Sequence, residues 1–222
     1  TAEFVAAPSN AGLMAFLTAE TFPTAEDFRE EIRKTRDLTD KPFGVNISML
    51  PELERGERSL GFAKVAAREG GAAAETAGND PAFLVPVLKE GGIKIFHKVP
   101  TLRFAKKAVA GGVDGIIIVG FECGGHPGMD DIPLSIMLPR AVDELSVPVI
   151  AAGGIADARG FAAAMCYGAA GVLIGTRFVA TSESTMHETM KKRYLEVTER
   201  DTTLVMRTLN NPMRCMKNWA TG

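Results

Sequence analysis

The stretch GIIIVGFECGGHPG, residues 115–128, decides how the rest of the chain is interpreted. Its opening run GIIIV is apolar, which is typical of a buried strand. The run ends in a glycine-rich loop that carries a carboxylate, a thiol and an imidazole, those of Glu122, Cys123 and His126. Glycines let the backbone turn sharply and approach a flat ligand closely. A histidine in such a loop is a candidate for proton transfer near neutral pH.

Apolar runs of the same kind alternate with helical patterns along the whole chain. Their continuous apolar character favours a parallel sheet that helices cover on both faces, either a (β/α) barrel or an open doubly wound sheet. A long polar helix is expected over residues 184–200. The predicted strands are seven: residues 12–17, 43–47, 72–76, 93–98, 115–119, 147–152 and 171–174.

Polar residues and glycines follow the carboxyl ends of these strands, and their positions favour the barrel. They are Asn46, Glu75, Lys98, Glu122, His126, Gly153-Gly154 and Gly175-Thr176. In a TIM (β/α)₈ barrel such ends form one mouth, and the loops after the last two strands commonly bind phosphate. Backbone N–H groups of the last two loops could grip a phosphate, with the Thr176 hydroxyl as a further donor. Ordinary tight turns are the alternative interpretation of these two loops.

Composition excludes several classes of function. A formal net charge of −2, with Lys and Arg spread along the chain, gives no basic footprint for nucleic acid. No apolar run approaches the roughly 20 residues needed to span a bilayer, so no membrane association is expected. Three cysteines without a C-x-x-C pair indicate reduced thiols in the cytoplasm rather than disulfides or zinc. Asp130-Asp131 lack a third ligand at suitable spacing, so no metal site is predicted.

Several motifs together resemble the nitronate monooxygenase family, formerly called 2-nitropropane dioxygenases. The resemblance covers nearly the whole chain and is nearest to a branch that includes NADH:quinone reductases. FMN-type enoyl-ACP reductases share part of the pattern more distantly. The motifs are VIAAGGIADARG at 149–160, GVLIGTRFVAT at 171–181, GFECGGHPGMDDIP at 120–133, ETAGN at 75–79, His97-Lys98 and ERDT at 199–202.

This resemblance implies a single FMN-binding barrel domain over residues 1–222, with FMN at its mouth. His126 would be the catalytic residue, facing the reacting end of the flavin. The implied cofactor-binding residues are Asn46 and Lys98 near the isoalloxazine, Gly153, Gly154, Gly175 and Thr176 at the phosphate, and also Gly125 and Ala152. The partners would be small molecules: a nitronate, a quinone or NAD(P)H. The oligomeric state stays open, a homo-oligomer included.

The implied reaction is the oxidation of alkyl nitronates by O₂ to carbonyl compounds and nitrite. The alternative is an NAD(P)H:quinone reductase that uses FMN. A non-redox barrel that binds a phosphorylated ligand, with Lys98 and His126 as acid and base, is a third hypothesis.

The chain departs from the family pattern in three ways. A first barrel strand with a flavin contact is expected before Thr1, and the family usually continues past Gly222, so truncation at both ends is expected. Val119 stands where relatives often carry Asp, which removes a polar group beside the flavin or substrate.

Four further side chains are expected to be structural. His97 should point away from Lys98 because side chains alternate along a strand. Glu122 is expected to brace its loop, Cys123 to be packed, and His187 to lie on the surface of the last helix. An ion pair with Glu75 or Glu122 is the alternative role for Lys98.

Overall fold

The computed structural model describes residues 1–49 and 56–221. Helices and strands alternate through most of the chain. The first part contains α1 (Ala2–Asn10), β1 (Phe16–Thr18), α2 (Ala25–Leu38), β2 (Gly44–Met49), α3 (Glu57–Glu69), β3 (Ala73–Gly78), α4 (Val85–Glu90), β4 (Lys94–Val99), α5 (Leu102–Ala110) and β5 (Gly115–Val119). The second part contains α6 (Leu134–Glu144), β6 (Val149–Ala152), α7 (Ala158–Cys166), β7 (Gly171–Leu173), α8 (Thr176–Val179), α9 (Glu188–Glu196), β8 (Thr202–Val205) and β9 (Met213–Met216).

The seven predicted strands are confirmed as β1 to β7 within the described residues. The sequence also predicts helix caps at Thr24 and Asp157, and the structure confirms both. Thr24 accepts the Asp27 N–H while the Asp27 carboxylate accepts the Thr24 N–H, which forms a capping box at α2. Asp157 caps α7 through the N–H groups of Arg159 and Gly160.

Three details differ from the sequence predictions. The strand predicted over 12–17 begins only at Phe16, and Leu13 and Met14 are exposed. The helix predicted over 184–200 is shorter, because α9 starts at Glu188. The hairpin β8–β9 was not predicted at all. The sequence also predicts a polar, turn-rich loop over residues 51–59, of which residues 51–55 lie outside the described residues.

The described residues form two compact units. The first unit comprises Thr1–Lys98 with Ala105–Ile116, and the second comprises Val99–Phe104 with the chain from Ile117 onward. In the first unit β1, β2, β3 and β4 pair in parallel in chain order. Phe28 of α2 packs edge-on against Phe62 of α3, with ring centroids 5.3 Å apart, and both side chains are fully buried. This packing fixes the helices that cover the first-unit strands.

In the second unit β6 and β7 pair in parallel, and Ala152 is in register with Leu173. The Gly120 N–H after β5 donates to the Ala152 carbonyl at 2.9 Å, so the ends of β5 and β6 lie side by side. The antiparallel hairpin β8–β9 completes this unit. No helix in the described part of the chain is long and apolar enough to cross a membrane.

His97 is a buried structural histidine, as the alternation along β4 predicts. It is in register with Thr76, and its Nδ1 lies 2.9 Å from the Thr76 hydroxyl. Only 3% of its surface is exposed. Burial lowers the pKa of His97 from 6.5 to about 4, because desolvation disfavours the charged imidazolium.

We expect His97 to make stability fall in mild acid. Below pH 6.5 the imidazole of His97 is protonated in the unfolded chain. In the folded chain it stays neutral until the pH falls to about 4. The free energy of unfolding should therefore decrease by about 3 kcal/mol as the pH falls through that window. His97→Gln cannot titrate, so its denaturation curves should show a shallower pH dependence from pH 6.5 to 4. Parallel pH dependences for the two proteins would contradict the assignment.

Candidate active site

The first unit gathers three predicted site residues on one face of its strands. Asn46 in β2 is in register with Glu75 in β3, and Glu75 is in register with Phe96 in β4. Lys98 lies two residues after Phe96 and therefore points to the same face. Asn46 and Glu75 are buried, with 8% and 4% of their surface exposed.

Lys98 forms an ion pair with Glu75. Its Nζ lies 2.5 Å from the Glu75 Oε1, and one third of its side chain remains accessible. The structure thus confirms Glu75 as the partner that the sequence offered as the alternative role of Lys98. An anion that approached the ammonium would compete with a carboxylate already in place. The expected flavin contact of Lys98 stays a prediction.

The second unit brings together the loops that follow β5, β6 and β7. A Cβ added at Gly153, whose φ is +104°, would lie 3.2 Å from the N and O atoms of Gly120. A Cβ at Gly124 would lie 2.9 Å from Oγ1 of Thr176. The three loops therefore meet at contact distances that need glycine. The sequence analysis placed Gly153 and Thr176 after the carboxyl ends of strands. In the second unit both residues lie against the loop that follows β5.

Glu122 and Cys123 support the loop after β5. Both carboxylate oxygens of Glu122 lie 3.1 Å from the Leu134 N–H, which they accept at the start of α6. This contact satisfies a helix donor that has no partner within the helix. Cys123 is buried, with its Cβ beside Gly153. Both residues have the structural roles that were expected of them.

His126 is the exposed imidazole of the same loop. The part of the chain described by the structure contains no hydrogen bond or ion pair to its ring. Gly125 and Gly128 on either side have φ values of +81° and +82°, conformations that favour glycine. The imidazole is thus available to a ligand, although its catalytic role stays a prediction.

Two predicted cofactor residues border open space. A Cβ added at Gly125 or Gly175 would meet no atom within 4 Å. Gly175 has a φ of −111°, so its backbone does not itself require glycine. Thr176, the next residue, begins α8. Open space beside backbone N–H groups is compatible with a ligand that approaches the main chain.

The sequence analysis missed the contribution of the C-terminal segment. Gly125 and Arg214 form an antiparallel bridge, with N···O distances of 3.1 and 2.6 Å. The Arg207 guanidinium binds both carboxylate oxygens of Asp131, at 2.9 and 2.6 Å. These partners are separated by 76 or more residues, and no local pattern links them. Among the described residues, no cluster of His, Cys, Asp or Glu could hold a metal ion.

Comparison with known proteins places this arrangement in a family. The model of the nitronate monooxygenase family matches residues 1–222. The chain belongs to the nitronate monooxygenase family. It is 38% identical, over 97% of its length, to a (3aS,4S,5R,7aS)-5-hydroxy-7a-methyl-1-oxo-octahydro-1H-indene-4-carboxyl-CoA dehydrogenase of Mycobacterium tuberculosis, of which it covers 59%. It is 30% identical to a probable nitronate monooxygenase of Bacillus subtilis, over 89% of the chain and 67% of that protein.

Solved structures show the same fold. FabK from Thermotoga maritima superposes on the whole chain with a TM-score of 0.93 and 33% identity, and the match covers 68% of that protein. A nitroalkane oxidase from Streptomyces ansochromogenes matches 98% of the chain with a TM-score of 0.85 and 26% identity, over 73% of its own length. These similarities confirm the predicted TIM-barrel fold class. The chain spans about three fifths of the length of the M. tuberculosis relative. Its relatives are oxidoreductases.

Proposed function

We propose that this chain is the FMN-binding scaffold of an oxidoreductase in the nitronate monooxygenase family. The observation that carries the proposal is the open space beside Gly125 and Gly175, in loops that follow β5 and β7 of the second unit. Gly153 and Gly154, with φ values of +104° and +69°, fit a backbone that presents N–H groups to an anion. The nearby Glu122 carboxylate accepts the Leu134 N–H, which holds it at the start of α6 but leaves its negative charge in place.

In this proposal Gly153, Gly154, Gly175 and Thr176 would hold the FMN phosphate. Gly125 and Ala152 would allow the main chain to approach the ring system. Asn46 and Lys98 of the first unit are proposed contacts of the isoalloxazine. Bound FMN would supply the redox chemistry, since it accepts electrons from a substrate and passes them to an acceptor.

His126 is the residue proposed to act on the substrate. Its exposed imidazole can take a proton from an acidic carbon, or donate a hydrogen bond to an oxygen that gains negative charge. A ring without partners in the described residues can be reoriented by a substrate without breaking an existing bond. Lys98 can stabilise negative charge only to the extent that Glu75 leaves its ammonium unneutralised.

Three substrate classes are proposed. The family name and the B. subtilis relative favour an alkyl nitronate, which O₂ would oxidise to a carbonyl compound and nitrite. The higher identity to CoA-thioester dehydrogenases, 38% and 37%, favours an acyl-CoA as the second candidate. NADH-dependent reduction of a quinone is the further alternative from the sequence. Three cysteines that form no disulfide fit a cytoplasmic enzyme in each case.

The visible spectrum of the purified protein tests the proposal and separates these classes. We expect bound FMN, which gives a yellow protein. Under anaerobic conditions the flavin should bleach with an alkyl nitronate, with an acyl-CoA or with NADH, and the effective reductant identifies the class. A colourless protein that stays colourless when FMN is added would overturn the proposal. It would favour the non-redox barrel.

Gly175→Ala tests the place of the phosphate. The added methyl group enters open space in the protein, so the free energy of unfolding should change by no more than about 0.5 kcal/mol. A phosphate against the Gly175 N–H would be displaced, and the FMN dissociation constant should rise about 10-fold or more. Gly171→Ala is the matched control, because its Cβ also meets nothing within 4 Å and no cofactor contact is proposed there. Equal FMN affinity in both variants would exclude Gly175 from the phosphate site.

His126→Ala tests the role of the imidazole. We expect FMN to remain bound while turnover of the substrate identified above falls by about 100-fold or more, the usual effect of losing a general acid or base. His187→Asn is the control, since His187 only caps α9 and Asn preserves a cap acceptor. Loss of flavin from His126→Ala, measured by ultrafiltration, would instead assign the loop to cofactor binding.

A further inference from the structure

We infer that Arg214 and Arg207 of the C-terminal segment are positioning residues that hold the His126 loop in its working conformation. The catalytic role of the loop rests on the proposed function. The contacts between the arginines and the loop do not depend on it. We define the loop clamp as these two arginines together with the loop atoms that they bind. All of its members lie in the second unit.

The first half of the clamp holds the start of the loop. The backbone of Arg214 in β9 forms two hydrogen bonds with Gly125, and its Nη2 donates to the Phe121 carbonyl at 3.1 Å. Its guanidinium also lies over the Phe121 ring, 4.8 Å from the centroid, in cation–π contact. One residue therefore contacts the loop at two points, four residues apart, just before His126.

The geometry of Arg214 indicates that these loop contacts determine its position. Its Nη1 donates to the Thr202 hydroxyl at 3.2 Å, within the hairpin. Its Nε is buried and has no hydrogen-bond partner among the described residues. A buried donor without an acceptor is unfavourable. The side chain adopts this position nevertheless, and the carbonyl and ring of Phe121 are the contacts that compensate.

The second half of the clamp holds the end of the loop. Arg207 forms the bidentate ion pair with Asp131, and its Nη2 also donates to the Met129 carbonyl at 3.3 Å. Asp131 has a φ of +51°, a conformation that is strained for a residue other than glycine. A strained backbone persists where surrounding contacts over-determine it.

His126 lies between the two halves. The segment from Gly124 to Gly128 contains three glycines, so it would sample many conformations if only its own backbone restrained it. The imidazole has no hydrogen bond to any of the described residues, so none of these residues fixes the ring by a polar contact. The contacts of the clamp therefore restrict the conformations of a segment that its glycines would otherwise leave flexible. A reacting group displaced by about 1 Å can lose about 100-fold in rate.

The test combines loop order with catalysis in variants of the full chain. Arg214→Met keeps an unbranched side chain but removes the guanidinium, and Arg207→Met breaks the half-exposed ion pair without disturbing the core. Arg193→Met is the matched control, because Arg193 forms its ion pair with Glu196 of the same helix, α9. Hydrogen exchange is measured on peptides that cover residues 121–131, with α7 as internal reference.

We expect exchange in residues 121–131 to become about 10-fold faster in each clamp variant, with α7 and the Arg193→Met protein unchanged. Turnover should fall about 10-fold to 100-fold while the FMN dissociation constant stays within about 2-fold of the starting protein, since only positioning is lost. The double variant Arg207→Met with Asp131→Asn should be no worse than Arg207→Met alone, because the two groups act as one pair.

Unchanged exchange in residues 121–131 of both variants would overturn the clamp. Faster exchange with full turnover would overturn its positioning role. Equal losses of flavin affinity and turnover would assign the C-terminal segment to cofactor binding. That result would also overturn the positioning role of the clamp. If the unmutated chain bound no flavin, the proposed function would fail, and the exchange experiment alone would still decide whether the clamp exists.

Discussion

The close approach of glycine backbone to neighbouring atoms in the loops after β5, β6 and β7 is the constraint on which the second unit depends. A Cβ at Gly120 would lie 2.5 Å from the Glu122 Oε2 and from the Leu134 Cβ, and one at Gly154 would lie 2.7 Å from the Glu122 Cγ. Any side chain at these positions would separate the loops. The absence of Cβ atoms is therefore what allows Glu122 to reach the start of α6.

Much of this arrangement could be predicted from sequence because its determinants are local. Helix starts at Thr24 and Asp157 follow from capping chemistry, and the opposite directions of His97 and Lys98 follow from the period of a strand. The glycine loops were recognisable for a similar reason. A glycine pair immediately after a buried strand needs no distant partner to be interpreted.

The parts that could not be predicted depend on distant partners. Residues 202–216 form two strands of four residues, which are too short for a reliable alternating pattern. The importance of Arg214 arises only from Phe121 and Gly125, 93 and 89 positions earlier in the chain. Lys98 illustrates an intermediate case. From the sequence, Lys98 is expected to contact the flavin or to form an ion pair. The structure shows the ion pair with Glu75, and the flavin contact stays a prediction.

The distinction between local determinants and distant partners also explains why family membership does not determine the substrate. Glycine loops of this kind would recognise a phosphate and a flat ring through the main chain, and relatives with different named substrates share that scaffold. Under the proposed function, substrate choice would depend on side chains outside that scaffold, such as the exposed His126. His126 lies between the two halves of the clamp. If FMN binds as proposed, variation in this loop and in the C-terminal segment that contacts it would change the chemistry without altering the strands.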